Sequence, residues 1–459
     1  MRKLVVLVSI AIVGAPVGAA ALHAGSAPSF GPARSYTTGR DPLSVAIGDL
    51  NGDGKPDLAT ANANYSGVGT ASVLLNRGDG SFRAKIDYRT GRGPNSVASG
   101  DLNGDGKPDL ATANLDADRV SVLLNRGDGS FQARLDYRTG HAPYSVAIGD
   151  LNGDGKPDLA TANNGSYPGT VSVFLNRGDG SFQAMVDYAT GLGPESVAIG
   201  QLNGDGKPDL ATANYQGDSV SVLLNSGDGS FQAKRDYGAA RSHSVAIGDL
   251  NGDGKPDLAT ANSNGDKESP TSTVAVLLNR GNGSFRASRN YATGPVSESV
   301  AIGDLSGDRK PDLATANFGG VGDQYVSVLV NRGDGTFQAE LDYGIGYRAT
   351  SVAISDLNGD RKLDLAATGS LPRFGSNVSV LLNRPGLCTV QDVKRQKLAA
   401  AKRTIARANC RVGKIRRAYS STFKRVTKGR VISQRPKPGT VLRGGGKVNL
   451  VVSRGKRFS

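Results

Sequence analysis

Along most of the chain, apolar runs of three or four residues alternate with clusters of Gly, Asn, Asp and Pro, and the same succession of runs returns seven times. In the first return the runs are Ser-Val-Ala-Ile at 44–47, Leu-Ala-Thr-Ala at 58–61, Ser-Val-Leu-Leu at 72–75 and Phe-Arg-Ala-Lys-Ile-Asp-Tyr at 82–88. Short runs bounded by turn formers predict strands, four to a unit. The block Asp-Leu-Asn-Gly-Asp-Gly-Lys-Pro-Asp-Leu-Ala-Thr-Ala-Asn begins at Asp49, Asp101, Asp150 and Asp249, and in altered form at Gln201, Asp304 and Asp356, with spacings of 48 to 55 residues. Four strands in a unit of that length match a propeller blade. The fold class predicted is mainly β, a seven-bladed β-propeller over residues 29–384.

The two ends of the repeat region predict how it closes. Six copies finish with a Gly-Ser-Phe or Gly-Thr-Phe strand, but the seventh stops at Asn383-Arg384-Pro385, and a strand of the missing kind stands at 29–36, ahead of the first copy. The N-terminal strand is therefore expected to complete the last blade, which leaves no long sheet edge open. In an antiparallel meander the turns after strands one and three share one face, and the turn after strand two shares the other with the link to the next blade. The link between strands two and three varies most, from six residues (115–120) to twelve (263–274). A variable loop set on a rigid scaffold is where partner recognition is expected.

The start of each block places oxygen side chains at positions 1, 3, 5 and 9 of a nine-residue loop, a pattern suited to a hard cation, with the carbonyl of position 7 as a further donor. The expected ligand sets are Asp49, Asn51, Asp53, Lys55 and Asp57; Asp101, Asn103, Asp105, Lys107 and Asp109; and Asp150, Asn152, Asp154, Lys156 and Asp158. Then come Gln201, Asn203, Asp205, Lys207 and Asp209; Asp249, Asn251, Asp253, Lys255 and Asp257; Asp304, Ser306, Asp308, Lys310 and Asp312; and Asp356, Asn358, Asp360, Lys362 and Asp364. Each Lys enters only through its carbonyl. Three carboxylates in so short a loop repel one another, so a cation would stabilise it. Calcium is the expected cofactor, up to seven structural ions, because magnesium prefers stricter octahedral geometry and no thiolate or imidazole is offered for zinc. The alternative, plain Asn-Gly and Asp-Gly turns, does not require an Asp at position 9 seven times over. Gln201 lowers the charge of loop four, Ser306 replaces Asn in loop six, and Arg309 and Arg361 stand at the glycine position of loops six and seven. These three sites are expected to be the weaker ones.

Charge divides sharply between the two parts of the chain. The formal net charge is +14, yet from Cys388 onward there are 21 Lys plus Arg against a single acid, Asp392, leaving the remainder at −6. Twenty of the body's acids sit in the proposed loops. With no Trp and three His, of which His141 and His243 each stand alone between strands, no histidine-centred catalytic site is expected and the protein is read as a non-enzyme. Residues 1–24 read as a secretory signal: Arg2 and Lys3, an apolar run at 4–13, then small residues. The other reading is an uncleaved anchor. No transmembrane segment is expected after cleavage, and the localisation expected is extracellular. Both cysteines, Cys388 and Cys410, lie in the tail, where an oxidising compartment would let them pair. Arg-Gly-Asp occurs at Arg77, Arg126, Arg177 and Arg332, but Ser226 and Asn282 stand in the same turn without the tripeptide, so the turn is read as a hairpin connection and not as an adhesion signal.

The Asp-x-Asn-Gly-Asp-Gly-x-x-Asp loops, each followed by Leu-Ala, and the Gly-Asp-Gly-Ser-Phe turns resemble the FG-GAP or VCBS repeats of integrin-α-like propellers. The resemblance implies calcium in the loops between strands one and two. That family includes adhesion proteins, sugar-binding lectins and a few lyases or dehydratases, so function has to be argued from the site. In the tail, Leu398, Ala401, Ile405 and Ala408 recur at helical spacing, strand-like runs follow at 410–419, 430–434 and 447–453, and Pro436-Lys437-Pro438-Gly439-Thr440 marks a turn. With the terminal Val-Val-Ser-Arg-Gly, this resembles a PASTA domain over residues 388–455, a small α+β module of cell-wall-associated proteins. The resemblance implies peptidoglycan or another wall polymer as partner; the alternatives are a folded spacer or a solvated basic surface.

The function expected is a secreted, monomeric, calcium-binding scaffold that meets a protein or glycan on its variable face and associates with the cell wall through its tail. The alternatives are a lectin-type propeller binding glycans between blades, with Tyr65, Tyr167 and Tyr215 stacking on sugars, and a polysaccharide lyase or dehydratase. Nucleic acid is not expected as a partner of a secreted chain.

Overall fold

The computed structural model describes residues 27–454 except 66, 264–271, 319–324, 347, 372–374, 384–387, 390–392, 408–410, 420–427, 439 and 443–446. The proposed signal and Cys410 therefore lie outside the described residues. The chain divides into two units, one of residues 32–382 and one of residues 28–31 with 383 onward.

The first unit consists of seven four-stranded antiparallel sheets. The first blade contains Pro42–Gly48, Asp57–Asn62, Thr70–Leu74 and Ile86–Arg89, paired in chain order. The last is built from Arg348–Ser355, Asp364–Leu371 and Gly375–Leu381, and its fourth strand is Arg34–Thr37 from the other end of the unit. The expected closure is therefore present, with Tyr36 opposite Val378 in the ladder. The fourth strands are shorter than expected. Phe82 makes a separate bridge to Asn76, and regular pairing resumes only at Ile86.

Hydroxyl and amide groups join the blades around the axis. Ser44 Oγ accepts the amide of Val97 at 3.2 Å, Ser96 that of Val146 at 3.3 Å, and so on round to Ser351, which accepts Val45 N at 3.4 Å and closes the circle. The Asn of each Asn-Arg-Gly-Asp turn adds a second join: Asn125 Nδ2 donates to Leu50 O of the preceding blade and to Pro108 O, both at 2.8 Å. A third is aromatic, with Tyr88 edge-on to Phe131 of the next blade at 5.1 Å. Within five of the seven blades, all but the fifth and seventh, a buried polar chain crosses the strands. Thr60 donates to Asn62 at 2.9 Å, Asn62 to Ser72 at 2.9 Å, and Ser72 to Asp87 at 2.6 Å. This satisfies the polar side chains that the Leu-Ala-Thr-Ala-Asn strand buries.

Around the axis, one position of the first strands holds Ile47, Ile148, Ile199, Ile247, Ile302 and Ile354, and in the second blade Ser99. Five of these isoleucines have a close counterpart in a glycine of the preceding blade, as Ile148 has in Gly100; Ser99 lies over Gly48 in the same way. Ser99 is buried, and its hydroxyl is the one buried side-chain polar atom without a hydrogen-bond partner among the described residues.

The second unit is α+β. A helix, Leu398–Arg407, accompanies a three-stranded sheet in which Lys447–Ser453 lies between Arg411–Ala418, parallel to it, and Val431–Arg435, antiparallel. Ala401 and Ile405 of the helix are buried with Val393, Val431, Val448, Leu450 and Val452, as the helical spacing predicts. Cys388 pairs its backbone with Leu442 in a short extra ladder. No helix among the described residues is long and apolar enough to cross a membrane.

Candidate functional site: the oxygen-rich loops and the channel mouth

The first strand of each blade runs from one face to the other, with the oxygen-rich loop at its end and a bulge at its start. Positions 1 and 3 of the loop converge on the amide of position 5. Asp53 N donates to Asp49 Oδ1 at 3.1 Å and to Asn51 Oδ1 at 2.9 Å, and Gly54 N donates to Asp49 Oδ2 at 2.8 Å. Loops two, three, five and seven repeat this, with Asp101 and Asn103, Asp150 and Asn152, Asp249 and Asn251, and Asp356 and Asn358 meeting the amides of Asp105, Asp154, Asp253 and Asp360. Two loops depart from the pattern. Gln201, one methylene longer, turns its carbonyl to the amides of Asn203 and Gly204, and Ser306 donates its hydroxyl to Asp308. Loop seven keeps the parent geometry, but Arg361, like Arg309 in loop six, is held at positive φ, 65° and 67° respectively.

Position 9 has a second role. Asp57 is fully buried; one oxygen accepts Leu50 N at 2.9 Å and the other Asn76 N at 2.7 Å. It thereby ties the loop to the end of strand three; Asp109, Asp158, Asp209 and Asp257 make the same pair of bonds, and Asp312 accepts Asn331 N likewise but takes the amide of Ser306, at position 3, in place of the position-2 leucine. Burial pushes Asp57 up to about 6 against those two amides, and repulsion from Asp53 and Asp49 adds to the rise. Asp109 and Asp257 are pushed up to about 7 in the same way. At position 7 the lysine side chains face the loop or the neighbouring turn: Lys55 Nζ lies 2.9 Å from Asp53, and Lys207 Nζ donates to Ser226 O at 2.7 Å. Among the described residues, no three His, Cys, Asp or Glu side chains stand close enough together to hold a metal ion. The donor set is nonetheless all oxygen, and positions 1, 3 and 5 lie within one turn, so in kind it fits a hard cation.

The Arg-Gly-Asp turns are occupied internally. Arg77 donates to Phe82 O at 2.6 Å, and Asp79 accepts both the amide and the hydroxyl of Ser81.

The other end of the first strands holds a constellation that sequence reasoning missed. Between Pro42 and Ser44 the register advances two residues while the partner strand advances one, from Asn62 to Ala61, so Leu43 is an extra, bulged residue. The same bulge occurs in every blade, and the extra residues are Leu43, Asn95, Tyr144, Glu195, His243, Glu298 and Thr350. All seven line one cavity of about 260 Å³ at the mouth of the central channel, together with the seven axial serines, Tyr65 and Phe318. Bulges commonly re-aim a side chain in this way.

The expectation that His243 stands alone is corrected here: it belongs to a strand and is engaged on three sides. Its Nδ1 lies 2.7 Å from Glu195 Oε2, its Nε2 3.1 Å from Ser263 Oγ, and its ring is 4.5 Å from that of Tyr215. Glu298 Oε2 is 3.7 Å from Nδ1. Burial opposes the charged imidazole, but the hydrogen bond to Glu195 and the charges of Glu298 and Glu195 outweigh it and raise the pKa. Burial, reinforced by Glu195 and Glu298, holds Tyr144 well above the ordinary phenol value. His141, by contrast, makes an exposed pair with Asp118 at 2.9 Å. A signal for this cluster does exist in the sequence: in the motif before Ser-Val-Ala, this position is occupied by six residue types in seven copies, while the serine that follows never changes.

The family profile described as FG-GAP-like repeat matches residues 49–112, 101–161, 152–212, 201–260, 249–315 and 304–367, and the PASTA domain profile matches 389–454. Among solved structures, the chain is similar to the BP39L lectin from Burkholderia pseudomallei, at 13% identity over 75% of this chain and 97% of that one, with a TM-score of 0.56. It is also similar to the WD40 domain of Toxoplasma gondii coronin, at 13% identity over 78% and 88% of the two chains, with a TM-score of 0.51. At these identities the likeness concerns the fold alone. No curated protein matches the chain.

Proposed function

Because the chain belongs to the FG-GAP-like repeat family and carries a PASTA domain behind the repeats, we propose that it is a secreted, non-catalytic, calcium-stabilised scaffold that associates with a wall polymer. The observation that carries this reading is the separation of charge. The acids of the propeller are concentrated in its seven oxygen-rich loops, while the C-terminal module has 21 basic residues and one acid. In each loop, calcium would be held by the side chains of positions 1, 3 and 5, with the carbonyl of position 7 and the buried carboxylate of position 9 completing the set. The ion would offset carboxylate repulsion and add folding free energy by binding only the folded form. The basic module would meet an anionic polymer through a salt-sensitive electrostatic contact.

Two measurements test the two halves. Titrating a chelator into the full chain should lower its melting temperature, and no shift at any concentration overturns the calcium reading. Sedimentation with purified cell wall should deplete the full chain from solution but not a chain ending at residue 384; equal depletion of both overturns the anchoring reading.

A further inference from the structure

The bulges gather side chains of different chemistry at a single place on the axis, and we propose that this mouth binds one ring of a neutral saccharide, one ligand per chain. The site differs from a lectin site between blades, of which a repeated propeller would have several. Its floor is the circle of axial serines. Each hydroxyl accepts an amide of the next blade, so its own proton is left to donate. Its wall holds acceptors: Glu195, only 10% exposed and oriented by His243, and Glu298, 25% exposed. Its rim is aromatic, with Phe318 and the 68% exposed ring of Tyr65.

This combination selects the ligand class by elimination. Two carboxylates face one imidazole, and the Arg348 guanidinium lies 5.3 Å over the Phe318 ring at the rim, so the charges near the mouth balance and favour neither an anion nor a cation. A bare cation would use the carboxylates and leave the hydroxyl floor without a role. A sugar ring has hydroxyls that both donate and accept, and a C–H face that packs on aromatic rings. The cavity of about 260 Å³ lies at the small end of ligand pockets, which suits a single ring rather than a long segment of chain. His243 serves as a positioning residue, because both of its ring nitrogens already face protein atoms.

Calorimetric titration of the full chain tests the proposal, using the methyl glycosides of glucose, galactose, mannose, fucose and N-acetylglucosamine, with glucuronate and spermidine as charged probes. At least one neutral glycoside should bind at one site per chain. Tyr65→Ala, which alters an exposed rim, and Glu298→Gln should each weaken that binding tenfold or more, whereas Leu135→Ala on an outer strand should leave it unchanged. The proposal is overturned if no neutral glycoside binds, if spermidine or glucuronate binds in preference, if several equivalent sites are counted, or if both mouth variants bind as the parent does. A melting curve for each variant separates lost binding from lost folding.

Discussion

Replacing Ser99 by isoleucine should make the propeller more stable. In the other six blades this position holds isoleucine, and in the second blade a buried hydroxyl without a partner occupies it instead. The substitution removes that hydroxyl, worth about 1–3 kcal/mol when left unsatisfied. It also adds three buried carbons at roughly 0.8 kcal/mol each. Freezing the longer side chain offsets about 0.5–1 kcal/mol. The net gain is on the order of 2.5–5 kcal/mol. Unfolding entropy near 2.1 cal/mol/K per residue, over a repeat region of about 350 residues, converts this to roughly 3–7 °C in Tm. Gly48 supplies the space, since it stands against Ser99 as Gly100 stands against Ile148. Calorimetry or a urea titration monitored by near-UV circular dichroism would measure the shift, with Ile148→Ser as the mirror experiment, expected to cost a similar amount. If Ser99→Ile left Tm unchanged or lowered it while Ile148→Ser cost under about 0.5 kcal/mol, the bookkeeping behind the axial packing would be wrong.

Three further outcomes are expected. Arg309→Gly and Arg361→Gly each relieve a positive-φ side chain, so each should stabilise the fold by about 1 kcal/mol in denaturant titrations. Asn125→Ala removes both inter-strand donations to Leu50 and Pro108 and the acceptance of Gly127 N; it should cost about 2–3 kcal/mol, read as a lower urea midpoint. The position-9 aspartates have folded pKa values above their ordinary 3.8, at about 6 for Asp57 and about 7 for Asp109. Their contribution is thus fully present below pH 3.8 and is lost as pH rises through 6 to 7, so the melting temperature of chelator-treated protein should have a falling component over that window. Asp109→Asn should flatten that component, and an unchanged pH slope would show that the buried carboxylate does not titrate there.

The blades were legible because each strand's identity depends on its own few residues and their neighbours. The length of strand four was not. Phe82 has the makings of a strand residue, but it is drawn to Asn76 and to the aromatic ring of the preceding blade's end, Tyr36. Asp57 was legible as an oxygen donor. That both its oxygens would meet backbone amides depended on where strand three ends, 19 residues on at Asn76. The channel mouth was least legible, because Glu195, His243 and Glu298 are 48 and 55 residues apart and only the packing of consecutive blades side by side around the axis brings them together. The clue was local nonetheless: one position kept changing inside a motif that otherwise repeated.

The way the ring is closed also decides how the molecule would respond to force. The outermost strand of the last blade comes from the beginning of the repeat region, and the chain continues from that same blade into the C-terminal module. Because Arg34 stands opposite Val380 and both strands leave the ladder at that end, tension between Arg34 and the chain beyond Leu381 would open the ladder Arg34–Thr37 against Asn377–Val380 one pair at a time, Arg34 from Val380 first, rather than shear it along its length. The other six blades would lie outside the load path until that ladder had unzipped, and a ladder opened pair by pair sets a low mechanical threshold for the whole propeller.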